Sequence, residues 1–114
     1  MLIKIKSLFL NKSNKDDVNR RISEKLHNMP FKYIQEKDET GTEIIIARAG
    51  HINIEGEKRD ILCATVGVNT VFKLKISEMK IWEFMSLDGC VIDFTDLDTE
   101  KRRNITVYYE KHLT

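Results

Sequence analysis

The chain has 114 residues, 41% hydrophobic and 32% charged, with one proline and five glycines, which describes one globular domain over 1–114 and excludes a disordered or fibrous segment. Nineteen basic residues nearly balance eighteen acidic ones, for a net charge of +1, so no global field directs the molecule to nucleic acid or an anionic membrane. No apolar run approaches the roughly 20 residues that span a bilayer, and two cysteines, Cys63 and Cys90, are too few and too far apart for a secreted disulfide framework.

A cytoplasmic setting with both thiols reduced in the core is therefore the expectation. The opening twelve residues look superficially like a targeting signal, but Lys4 and Lys6 interrupt their apolar run and no small-residue cleavage site follows. Ile3 and Ile5 alternate with those lysines, which predicts a strand with one buried face. The competing reading is a short basic amphipathic helix lying on a membrane surface.

Ser13 reads as a helix N-cap, with Asp16 and Asp17 in the first turn, where carboxylates meet the positive end of the helix dipole. Val18, Ile22, Leu26 and Met29 follow at helical spacing, and Pro30 disfavours the α conformation just before it. A helix over 14–28 is predicted, with His27 near its C-terminus as a cation facing the last carbonyls.

From Phe31 the apolar period changes to two. FKYIQEKD reads as a strand, 38–41 as a hairpin connection, and TEIIIARA as the returning strand. Isoleucines at 44, 45 and 46 place apolar groups on both faces, which predicts a central strand with one face under the helix. Gly50 marks a bend before HINIE, GEKRD is a polar turn, and ILCATV and VFKLKI follow, the latter with Phe72, Leu74 and Ile76 opposite Lys73 and Lys75. Residues 77–87 fit a short helix or a strand; the strand is favoured because Asp88-Gly89 between apolar runs signals a hairpin. CVIDFTD and NITVYYEKH form the last pair, joined by a charged loop.

The predicted architecture is α+β: an N-terminal strand and one amphipathic helix, then an antiparallel meander of roughly six to eight strands forming a curved sheet or partly open barrel.

No motif announces an activity. His27, His51 and His112 are not at metal-binding spacing, and no nucleophile–base order, phosphate loop or cofactor fingerprint is visible. Arg48 and His51 flank the Gly50 bend and form, with Trp82, a candidate ligand site; the simpler reading is a solvent-facing strand and a core tryptophan. Asp93, Asp96, Asp98 and Glu100 resemble a cluster for a hard cation such as calcium, but the glycine turn is missing and Lys101, Arg102 and Arg103 follow at once, so a charged hairpin tip explains them. Lys73, Lys75 and Lys80, with Lys58 and Arg59, on one sheet face would track a phosphate backbone, with Tyr108 or Tyr33 nearby for stacking, although a solvated mixed-charge surface accounts for them equally.

The expectation is a non-catalytic binding domain, engaging a protein partner or its own copy through a sheet edge or the face spanning 44–54. A small-ligand or enzymatic half-barrel around Arg48, His51 and Trp82 is the alternative, and nucleic-acid binding through the lysines a third.

Overall fold

The computed structural model describes residues 16–110. The predicted N-terminal strand, the Ser13 cap and His112 lie outside them. Residues 16–26 form helix α1, which ends in a turn at Asn28, where φ is 65°. Its end is two residues short of the boundary expected from the apolar stripe, because Met29 and Pro30 already belong to the first strand.

The rest is one antiparallel sheet: β1 (Met29–Lys37), β2 (Glu43–Glu55), β3 (Ile61–Val66), β4 (Asn69–Lys75), β5 (Lys80–Glu83), β6 (Gly89–Thr95) and β7 (Arg102–Tyr109). The seven strands run in the order β4-β3-β2-β1-β7-β6-β5. The antiparallel meander expected from the period-two pattern is present, with one departure. After β4 the chain does not pair with its neighbour in sequence but crosses to the opposite edge through a single 3-10 turn, Ile76–Glu78. The 77–87 stretch is accordingly split among this turn, the short strand β5 and a loop whose left-handed residue is Leu87 (φ 62°) rather than Gly89.

A connection this short between the outermost strands requires the sheet to curl. The concave face holds the core: Phe31, Ile34, Ile52, Leu74, Ile92 and Val107 are fully buried, and Ile22 and Leu26 of α1 join the same cluster. Alternation explains these positions, since the intervening residues of each strand point to the convex face.

The sheet is not closed into a barrel. Along the open seam, the edge of β4 is held instead by the β6–β7 loop, where the Leu97 amide donates to the Lys73 carbonyl at 2.8 Å. Arg103 Nη1 donates to the Val71 carbonyl at 2.9 Å. At the crossing turn, the buried Asn19 of α1 donates from Nδ2 to the carbonyls of Ile76 and Met79 at 2.9 and 3.0 Å. Backbone groups that no strand pairs are thus satisfied by side chains and a loop, as burial demands.

Two expectations are corrected here. TEIIIARA and HINIE are a single thirteen-residue strand, bent but unbroken, with Ala49 at φ 56° just before Gly50. A Cβ at Gly50 would lie 2.2 Å from the Thr65 carbonyl oxygen and 2.5 Å from the Phe31 ring, so glycine is needed for the close approach of backbones at the bend. Secondly, Ile44 and Ile45 of β2 are not under the helix: they are 49% and 42% exposed. The helix sits at the other end of the strand, where His27 Nδ1 accepts a hydrogen bond from the Ile54 amide at 2.9 Å. That bond also differs from the role expected of His27, whose Nδ1 accepts from a strand amide instead of facing the last carbonyls of the helix.

Candidate functional site

The convex face of the sheet and the free edge of β2 carry the features that folding alone does not require. β1 spans residues 43–52 of β2, but β3 pairs only with 51–55. Among the described residues, no strand therefore covers residues 43–49 on the side away from β1. These are EIIIARA, an unpaired strand edge carrying two of the exposed large apolar side chains.

The cross-strand register orders the convex face into rows. Opposed residues of an antiparallel pair share a face, so Arg48, Tyr33, Tyr108 and Gly89 form one row, extended by Phe84, whose amide donates to the Gly89 carbonyl. Ile45, Gln35, Thr106, Val91 and Trp82 form the next. Tyr33 and Tyr108 stack with centroids 4.5 Å apart, and Phe84 meets Tyr108 edge-on at 5.7 Å. Burial first, then the charges of Tyr33 and Glu43, push the Tyr108 phenol up. The three rings border a cavity of about 440 Å³ whose rim includes Lys32, Ser86, Asp88 and Glu110. Gly89 lets Phe84 approach, since a Cβ there would meet the Val107 carbonyl oxygen at 2.3 Å and the Phe84 ring at 3.1 Å.

The candidate residues Arg48 and Trp82 lie on this same convex face, but on β2 and β5, with β1, β7 and β6 between them. At a strand spacing of about 4.8 Å that separation is roughly 19 Å along the sheet. His51 is exposed on β2 beyond the bend, opposite Pro30 and Thr65. None of the three lines the 440 Å³ cavity. Trp82 is 52% exposed, so it is not a core side chain.

Lys73 and Lys75 project from β4, separated from the Tyr33–Tyr108 stack by β3 and β2. Lys80 is on β5, opposite Asp93 in the strand register, and the Asp93 carboxylate is bound by Arg102 at 3.0 Å. The three lysines do not share a row with the aromatic rings.

The acidic cluster is organised from within. Asp96 is buried; its Oδ1 accepts the amides of Asp98 and Thr99 at 2.8 and 3.2 Å, and its Oδ2 accepts Arg103 at 2.7 Å. Burial acts to raise its carboxyl, but the Arg103 hydrogen bond and the two amides outweigh that and hold it below the ordinary carboxylate value. One oxygen is thus committed to the loop and the other to Arg103 on β7. No group of three or more His, Cys, Asp or Glu is placed to hold a metal among the described residues.

Inside the sheet, Glu83 and Cys90 are opposed and Tyr109 is a neighbour of both. The Tyr109 hydroxyl and Glu83 Oε2 are both buried without a hydrogen-bond partner among the described residues. Burial raises the Cys90 thiol to about 12, so it is protonated and not a ready nucleophile.

Sequence reasoning names Tyr33 and Tyr108 only as stacking residues beside the lysines and does not join them to each other or to Phe84, because residues distant in the chain share a row only once the strand order is known. Comparison with known proteins finds no matching family profile, no matching curated protein and no matching solved structure. No helix among the described residues is long and apolar enough to cross a membrane.

Proposed function

We propose that this protein is a binding domain without catalytic chemistry of its own, and that it engages another polypeptide by strand addition along residues 43–49 of β2. The observation that carries this reading is the mismatch of strand lengths. β2 has thirteen residues, while β3 occupies its outer edge only over 51–55. An edge with unpaired amides and carbonyls is a template for a further strand, and soluble proteins usually blunt such edges with charge, bulges or short length.

The other strand edges are blunted in those ways. β4 is covered by the β6–β7 loop and Arg103. β5 has only four residues, two of them Lys80 and the inward-facing Glu83. Residues 44–46, by contrast, are three successive isoleucines. The test is a photoreactive amino acid at Ile45, with Glu57 in the distant polar turn as control. Adducts to polypeptide at position 45 and not at 57 are expected. Their absence at 45 under conditions where the protein is folded and abundant overturns the reading.

A second reading is favoured by one specific observation, the aromatic cluster bordering the 440 Å³ cavity. Stacked rings beside a few polar groups suit a flat small molecule or a single base. Ring-proton shifts of Tyr33 and Tyr108 during titration with nucleosides and other planar compounds test it; unchanged spectra at millimolar ligand reject it.

A further inference from the structure

Resting on the strand-addition reading, we infer that the polypeptide added to β2 is a second copy of β2 itself, antiparallel and centred on Ile45. Three features of the edge lead to this partner and this register.

The first is the bulge. The register with β1 shifts between Ile34 and Gln35, which leaves Ile46 as an extra residue between Ile45 and Ala47. Because Tyr33, Gln35 and Lys37 alternate along one face of β1, their partners Arg48, Ile45 and Glu43 also lie on one face. The bulge therefore puts two oppositely charged residues on the same face, one rung pair to either side of Ile45.

The second is self-complementarity. When two such edges pair about a two-fold axis through Ile45, Ile45 meets its own copy and Ile44 meets the Ile46–Ala47 rung. Glu43 then faces Arg48 of the second copy, and by symmetry Arg48 faces Glu43. Opposite charges directly across a ladder are favourable and like charges are not. A register displaced by one rung would turn every side chain to the wrong face. A register displaced by two would place Glu43 opposite Ile45 and leave Arg48 beyond the paired segment.

The third is length. The window is bounded, since from His51 onward the same edge is occupied by β3. A pairing centred on Ile45 uses residues 43–48 of that free segment in both copies. Such an isologous contact also closes on itself, so an apolar edge that would otherwise invite open-ended stacking is consumed in a dimer. With about six residues per copy the contact is small, and a dissociation constant of about micromolar order is expected.

The experiment is sedimentation equilibrium of the full chain with charge variants. Wild type is expected to dimerise at tens of micromolar. Glu43→Arg alone and Arg48→Glu alone should each weaken self-association about tenfold, because two attractive contacts become repulsive. An equimolar mixture of the two single variants should recover wild-type affinity, since each then supplies the charge the other lacks. Under mild oxidation Ile45→Cys should give a 45–45 cross-link, whereas Val68→Cys, fully exposed on the β3–β4 turn, should not. A wild-type monomer at 200 μM overturns the inference. So does a dimer indifferent to both charge reversals. If the chain is monomeric but the photoreactive residue at 45 still captures a different polypeptide, the strand-addition reading stands and only the second copy is excluded; if neither occurs, both fall.

Discussion

Arg103 donates from Nη1 to Asp96 Oδ2 at 2.7 Å, and this one contact ties the loop that covers the β4 edge to the body of the sheet. The same guanidinium binds Glu36 on β1 from Nε and Nη2 at 2.8 and 2.9 Å and lies 5.7 Å over the Phe94 ring. β1, β4, β7 and the β6–β7 loop thus all meet at one cation.

Removing that cation strands two carboxylates. Arg103→Met is expected to cost about 3–5 kcal/mol, the range for breaking a buried pair from one side. Asp96→Asn, which leaves the Glu36 contact intact, should cost about 2–3 kcal/mol. Urea denaturation of the three proteins at pH 7 checks the order.

The Asp96 carboxyl is held below its ordinary value of 3.8. A depressed carboxylate contributes stability that is complete above the unfolded value and is lost as pH falls through the folded one. The stability gap between wild type and Asp96→Asn should therefore be constant from pH 7 to about 5 and shrink below about 4. The Asp38 carboxyl, lowered chiefly by its hydrogen bond from Thr40, adds acid sensitivity of the same sign to both proteins and cancels in the difference.

Much of this fold was legible residue by residue, and the failures share a cause. Alternation in VFKLKI identified which side chains of β4 are buried, and the stripe Ile22–Leu26 identified the face of α1 that packs on the sheet. What alternation cannot state is which strand lies beside which. The crossing from β4 to β5, the bare edge at 43–49 and the alignment of Tyr33 with Tyr108 all depend on strand order, a non-local property. Single polar residues failed for a related reason. His27 at a helix end and Arg103 in a basic run have obvious local roles, yet their observed partners, the Ile54 amide and Glu36, lie 27 and 67 residues away.

Asn19 offers a sharper test of the crossing turn. Its amide nitrogen serves two carbonyls in a buried setting. Asn19→Ala should lose about 1–3 kcal/mol by leaving them unsatisfied. Asn19→Asp should cost more at pH 7, since a carboxylate would then face two carbonyl oxygens in place of a donor. The extra loss in the aspartate variant should diminish in acid, where protonation restores one donor; thermal melts at pH 7 and pH 4 measure it.

Gly50 separates steric need from conformational need. Gly50→Ala would drive a methyl into the Thr65 carbonyl and the Phe31 ring, and about 2–4 kcal/mol of destabilisation is expected because backbone must move. Gly67 has φ +59° but open space around it, so Gly67→Ala should cost only about 1 kcal/mol, the left-handed penalty alone. Equal losses in the two variants would mean that the close approach at the bend is not what glycine provides there.

The two thiols report on the two halves of the sheet separately. Cys63 lies on β3 and Cys90 on β6; both are buried and free. Burial raises each, Cys90 to about 12, so at pH 8 neither presents appreciable thiolate and access requires opening of the strand that carries it. Thiol–disulfide exchange with an aromatic disulfide reagent, which leaves a mixed disulfide on the cysteine and releases one aromatic thiolate, should therefore be slow in the native state and rapid in 6 M guanidinium, with both residues labelled. Arg103→Met should accelerate Cys63 more than Cys90, because β4, the strand that shields β3 on its outer side, is the one that Arg103 secures. Equal acceleration at both thiols would indicate global unfolding and show that the seam is not an independent point of opening.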